Sequence, residues 1–105
     1  MENSKKRIIY KVSGDLNSYE IIQNVYEDLK NYIQDDYTHL VISFEQVNAI
    51  NSSAIGKILF LNNLISAKNG KISFIHLNEN LKKLFKILLI DKLFKIYESE
   101  DEIED

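Results

Sequence analysis

The chain of 105 residues contains no cysteine, no proline and no tryptophan, and it has only three glycines. Without cysteine, disulfides and thiolate metal sites are excluded. With no proline and so little glycine, linkers and loop-rich architectures lack their usual materials, so one compact domain over residues 1–105 is expected. Long apolar runs are missing too. None approaches the roughly 18 residues of a membrane span, so no membrane insertion is expected. The polar start, Met1 to Arg7, does not resemble a signal peptide, which makes the cytoplasm the expected location. Concentrated positive charge is also absent. The net charge of −3 conceals six carboxylates and no base in residues 98–105, leaving 13 basic against ten acidic side chains elsewhere. That acidic end reads as a solubilising tail, with docking as the alternative. Neither part has the basic surface of a nucleic-acid binder, and no direct nucleic-acid contact is expected.

What the chain does have is apolar mass. Hydrophobic residues make up 45%, with 16 isoleucines, enough for a core at this length. The abundance of Ile, Asn and Lys fits an AT-rich bacterial genome. Two periodicities alternate along the chain. Arg7–Ser13 reads as a strand, and Gly14-Asp15 as a turn. Asn17 is placed to cap a helix, with Glu20 completing a capping box. Ile21, Ile22, Val25, Leu29, Tyr32 and Ile33 line one face of that helix to about Gln34. His39–Phe44 reads as a strand covered on both faces. A second helix is predicted over Ser53–Lys68, stopped by Asn69-Gly70. Lys71–Leu77 is the third strand. Asn78 caps a third helix with Leu81, Leu84, Phe85 and Leu88 as its buried stripe, and Lys92–Tyr97 forms a last strand before an acidic end that can add a short helix. The fold class is therefore α/β, a single domain with a mostly parallel central sheet flanked by about four helices.

Catalytic constellations are mostly missing. His39 and His76 each lie in a predicted strand without a second ligand at metal spacing, and both read as structural. Gly56-Lys57 is like the end of a phosphate-binding loop, but Asn51 occupies the position of its first glycine. No nucleophile elbow surrounds any serine. No enzyme activity and no cofactor are expected. The segment from Val47 to Gly56 stands apart, joining the exit of a strand to the start of a helix. One cap suffices there, yet Asn51, Ser52 and Ser53 are all competent, so at least one hydroxyl is spare. Loops at the carboxyl ends of parallel strands are the working loops of open sheets. A phosphoryl group there would meet free backbone N–H groups and the positive end of the helix dipole. A plain capping role is the competing reading. Beyond it, Ala54, Ile55, Ile58, Leu61 and Ile65 form one apolar helix face, and Phe60, Leu64 and Ala67 form a second, in line with Ser53 and Gly56. A second apolar face is either covered within the domain or offered to a partner.

Ile50-Asn51-Ser52-Ser53-Ala54-Ile55-Gly56 resembles the signature of STAS domains of the anti-sigma-factor antagonist type: an acid, two hydroxyl residues, a small residue, an aliphatic and glycine. Gly14-Asp15-Leu16-Asn17 resembles the family's Gly-Glu-Leu-Asp turn. Leu77-Asn78-Glu79-Asn80-Leu81 through Leu84-Phe85, and Phe94-Lys95-Ile96-Tyr97 before a Glu-rich end, resemble its later segments. Asn51 and Asn17 stand where the family has Asp, and Ala54 where it has Gly. The resemblance implies that Ser52 is phosphorylated and that the domain is a ligand and substrate. Its implied partners are an anti-sigma factor that is also a serine kinase, and a metal-dependent serine phosphatase of the PPM type. Partner contacts are expected from Asp15 and Asn17, from Asn51, Ser52, Ser53, Ala54, Ile55 and Gly56, and from the apolar helix edge around Phe60. A STAS-type accessory subunit of a transport complex, or a signalling scaffold without a phospho-switch, is the alternative. An enzyme or nucleotide-binding protein is the third reading.

Overall fold

Short β-branched runs and longer amphipathic ones alternate, and the backbone follows. The computed structural model describes residues 6–104; the first five residues of the polar start and Asp105 of the acidic end lie outside it. The elements are β1 (Arg7–Lys11), α1 (Tyr19–Gln34), β2 (His39–Ser43), α2 (Ser52–Ser66), β3 (Lys71–Ile75), α3 (Glu79–Ile87) and β4 (Lys95–Tyr97). Short 3-10 turns occupy Ile90–Lys92 and Glu100–Glu102. The four strands pair in parallel, in the order β1-β2-β3-β4. The sheet is thus parallel as expected, with three α-helices and two 3-10 turns where about four helices were anticipated.

Alternation along the strands divides the interior in two. Leu40, Ile42, Ile72 and Phe74 face the helices and join Ile22, Val25, Leu29, Ile33, Ala54, Ile58, Leu61, Ile65, Leu81 and Phe85 in one core. All three helices therefore cover the same face. Val41, Ile75 and Tyr97 form a smaller cluster on the other face, with Ile9 and Ile103 packed against it. Every residue of β2 is buried, as its uninterrupted apolar centre requires. The polar residues on that strand are paired: His39 Nε2 and Ser73 Oγ share a hydrogen bond of 2.7 Å, and Ser43 Oγ and His76 Nδ1 one of 3.1 Å. Beneath α3 the rings of Phe44, Phe74, Phe85 and Phe94 pack edge-on or tilted at 4.7–5.8 Å. Tyr10 donates to Asp28 Oδ2 at 2.5 Å, tying α1 to β1, and burial together with that carboxylate raises the phenol above its usual range.

Three local expectations are corrected. Ser18, not Asn17, is the cap position of α1, and no side-chain bond caps that helix. Leu16 pairs with Ile50, which holds Asn17 in the preceding turn. The stripe of α3 is shorter than predicted: Leu81 and Phe85 are buried, whereas Leu88 is 48% exposed. The last strand begins at Lys95, because Ile90–Lys92 is a 3-10 turn. Both of the latter differences trace to Leu89, whose φ of 62° and ψ of 20° end the helix in the left-handed region. Helices commonly close this way, but with glycine.

A side chain at that conformation costs roughly 1–2 kcal/mol. Leu89→Gly is therefore expected to stabilise the domain by about 0.5–1 kcal/mol after the entropy that glycine loses on folding. Melting followed by circular dichroism should show a rise of a few degrees; an unchanged or lower midpoint would mean that the leucine side chain contributes packing that offsets the strain.

Candidate functional site

Parallel strands deliver their exits to one edge of the sheet, and three of those exits are stitched together. Leu16 N–H donates to Ala49 C=O at 2.8 Å and Asn51 N–H to Leu16 C=O at 3.0 Å, extending the β1–β2 pairing into the loops. Asp15 Oδ1 accepts from the backbone N–H of Asn48 at 2.7 Å and of Ala49 at 3.3 Å. From the third exit, Asn78 Nδ2 reaches Val47 C=O at 3.5 Å and Asn48 Oδ1 at 3.4 Å. Its Oδ1 meanwhile caps α3 through Leu81 N–H at 2.8 Å.

The loop so held presents the start of α2. Asn51 is the cap, its Oδ1 accepting from Ala54 N–H at 2.9 Å. Ser52 and Ser53 are the first two helical residues and both are exposed, with their hydroxyls outside the capping bond. No acidic residue of α2 itself lies in this first turn, where a negative group would be favoured by the helix dipole. Gly56 sits one turn beyond Ser52, exposed, and a Cβ built on it would touch nothing within 4 Å. Glycine inside a helix costs about 0.8–1.0 kcal/mol relative to alanine. Here neither packing nor backbone conformation requires it.

The other anticipated residues divide by burial. Asp15 serves the loop with its carboxylate, and Asn17 is exposed. Ala54 is 2% exposed and faces the core, and Ile55 is half-buried against it. Phe60 is 50% exposed on the second face of α2. That face has company the sequence did not reveal: Tyr26 of α1 lies 6.3 Å from the Phe60 ring, and Lys57 Nζ stands 4.8 Å above Tyr26. The only signal for Tyr26 was its position four residues before Lys30, whose Nζ is 5.8 Å from the same ring. Asn78 was missed as part of the site, and Asn48, though within the segment singled out from Val47 to Gly56, was given no role. Among the described residues, no cluster of three or more His, Asp or Glu could hold a metal ion.

The model of the STAS domain family matches residues 1–103. The chain belongs to the STAS domain family. Among solved structures, this STAS domain is similar to the anti-sigma factor antagonist SpoIIAA in its unphosphorylated form, with a TM-score of 0.72, 14% identity, and 97% of this chain and 88% of that one covered. The phosphorylated form of the Bacillus cell fate determinant SpoIIAA gives 0.71 and 16%, covering 97% and 91%. A Thermotoga maritima protein solved by NMR gives 0.79 and 20%, covering 96% and 81%. At such identities the likeness concerns the fold.

Removing the Asp15 carboxylate leaves two loop N–H groups without their acceptor. Asp15→Ala is expected to lower stability by about 1–2 kcal/mol, whereas Asn17→Ala, which removes an exposed side chain, should fall within about 0.5 kcal/mol of the parent. Urea titrations of the two variants decide it: equal midpoints would show that Asp15 does not hold the loop. Asn51→Ala should cost about 1 kcal/mol, and Asn51→Asp, which retains an acceptor at the helix start, should cost nothing.

Proposed function

We propose that this STAS domain is a non-enzymatic partner-switching regulator, an anti-sigma-factor antagonist whose binding to an anti-sigma factor with serine kinase activity is controlled by phosphorylation of Ser52. The observation that carries the reading is the division of labour at the start of α2. Asn51 makes the cap, which leaves the Ser52 hydroxyl exposed beside Gly56, a glycine that the fold does not need. A helix interior made less stable without a packing reason fits a surface that another backbone must approach closely. The STAS assignment supports the same reading, as does the likeness to SpoIIAA, a protein whose structure is known in unphosphorylated and phosphorylated forms. The exposed Phe60, with Tyr26 and Lys57 beside it, extends the contact surface along α2. A PPM-type phosphatase would reset the switch, and the cytoplasm is the compartment in which both reactions would occur.

The physics of the switch lies in the interface and not in the fold. A phosphoserine carries about −1.5 to −2 charge at neutral pH. At the start of α2, where no acid stands in the first turn, that charge gains about 0.3–1 kcal/mol from the dipole. Against a partner shaped for a hydroxyl, the same hydrated dianion would be desolvated without compensation.

Incubation with the cognate kinase and ATP should place phosphate on Ser52, and Ser52→Ala should carry none. Equal phosphate on both proteins would remove Ser52 from the switch and leave the interaction or accessory-subunit reading. Phosphorylation or Ser52→Asp should weaken partner binding at least tenfold in calorimetric titrations, about 1.4 kcal/mol, with the melting temperature unchanged or slightly higher. A large fall in melting temperature would place the effect in the fold.

Gly56 supplies a separate expectation. Gly56→Ala should raise stability by about 0.5–1 kcal/mol yet weaken partner binding, and Gly56→Arg should abolish binding with the circular-dichroism spectrum intact. Normal binding by Gly56→Arg would clear this surface of the partner.

A further inference from the structure

The turn from α3 into β4 concentrates exposed apolar surface at the end of the domain away from Ser52. Ile87 is 75% exposed, Leu88 48%, Leu89 60% and Leu93 61%. Among the described residues, only Tyr19 and Phe60 are also large, apolar and exposed. The core does not need these four. Leu81 and Phe85 supply the buried face of α3, and Ile90 and Phe94 anchor the turn, 6% and 5% exposed. Nor is the turn loose. Leu88 N–H donates to Leu84 C=O, Leu89 N–H to Lys86 C=O, and Leu93 and Phe94 N–H both to Ile90 C=O, at 2.9–3.2 Å. Leu89 ends the helix in the left-handed conformation at its own energetic cost. The result is a firmly held knob of four aliphatic side chains.

Its surroundings are basic. Lys83, Lys86, Lys92 and Lys95 are all exposed, and Asp91 is the single acid between residues 80 and 97. The carboxylates of Glu98–Glu102 follow the opposite end of β4, and Glu98 is engaged by Lys82 at 2.7 Å.

We propose that this knob docks on an anionic lipid surface, with its aliphatic side chains in the headgroup boundary and its lysines against lipid phosphates. Charge disfavours a symmetric pairing of two copies through this turn, because it would bring lysines against lysines. Composition separates lipid from protein. Protein interfaces favour Trp, Tyr, Met and Arg and are depleted in Lys, and Leu is under-represented at their hot spots. This surface has Leu and Ile ringed by Lys among its exposed residues, and aliphatic side chains beside a cluster of lysines are what a peripheral contact with anionic lipid uses. The contact is shallow. It differs from a span, and no helix among the described residues is long and apolar enough to form one. Because α3 runs back from the strand exits, the knob and Ser52 lie at opposite edges of the sheet. A docked domain keeps its Ser52 surface free, so the lipid contact stands independently of the switch.

The test is co-sedimentation of the full chain with vesicles of phosphatidylcholine alone and of phosphatidylcholine mixed equally with phosphatidylglycerol, at low and at physiological salt. Binding is expected to the mixed vesicles only, weakening as salt rises. Soluble glycerol phosphate should not compete, since it offers the charge without the apolar boundary; full competition would overturn the lipid surface in favour of a small anion. Ile87→Ser combined with Leu93→Ser should lower partitioning at least tenfold, and Lys86→Gln or Lys92→Gln about fivefold each, with melting unchanged. Should the double variant fail to fold, Leu89→Gly serves, since it relieves strain while removing an apolar side chain, and it must also weaken vesicle binding. Ser52→Asp should bind vesicles like the parent. Failure to sediment with the mixed vesicles at low salt, or binding indifferent to these substitutions, would overturn the proposal. So would a dimer, or capture of an acidic cellular protein, that the same substitutions abolish while vesicles are not bound.

Discussion

The site depends on one carboxylate accepting two backbone hydrogen bonds. Asp15 receives the N–H groups of Asn48 and Ala49, and with the Leu16–Ile50 bridge this carries the pairing of β1 and β2 past the ends of the strands. The consequence is positional. Asn51 is held by its own N–H on Leu16, so the first turn of α2 begins at a height above the sheet fixed by backbone hydrogen bonds rather than by loop entropy. Ser52 is exposed yet carried on a rigid support, the arrangement that a recognised side chain requires.

Apart from the Asp15 carboxylate, the side chains that join the loops of this edge are amides. Asn48, Asn51 and Asn78 make or receive the bonds among the loops, and Asn51 and Asn78 also cap the helices that follow. Amides satisfy loop backbone without adding charge, and no acid stands in the first turn of α2. A STAS domain with acids at positions 17 and 51 would have a more negative edge, one that repels a phosphate but attracts a basic partner. In this chain Lys57, which rests over Tyr26 beside Phe60, adds a cation to the same side of α2. On the proposed reading, a partner docking here would meet an aromatic pair and a cation beside the start of α2.

Much of this was legible in the sequence because it is local. The β-branched runs from His39 and from Lys71, the cap Asn78 and the stop at Asn69-Gly70 each act within a few residues and appear near where the pattern placed them. The third strand, however, ends at Ile75, before the left-handed His76, and not at Leu77. Of the three competent caps before α2, the structure uses Asn51. The Ser52 segment could be picked out because three adjacent caps exceed the need of one helix. What escaped was set by distant pairing. The Leu16–Ile50 bridge moved the start of α1 to Ser18 and Tyr19, and the left-handed Leu89 shortened both α3 and the last strand; neither constraint shows in hydrophobic periodicity. Tyr26 and Phe60 are on different helices, and only the packing of α1 on α2 brings their rings together. Periodicity also could not say which sheet face the helices cover, since both faces of β2 read as apolar.

The strand order has a consequence for how the chain reaches this structure. Each strand pairs with the one made immediately before it, so the sheet grows in the direction of synthesis. When β2 and its preceding helix have emerged, β1 is already available as a template, and β3 and β4 extend the growing edge in turn. No strand must wait for a later one to be inserted beside it, and each loop to be closed is only one helix long, which keeps the entropy of closure small. Without proline the chain also lacks the prolyl isomerisation that slows many refolding reactions. A domain assembled unit by unit in this way can complete its Ser52 edge before its final strand, as that edge needs only the first three strand exits.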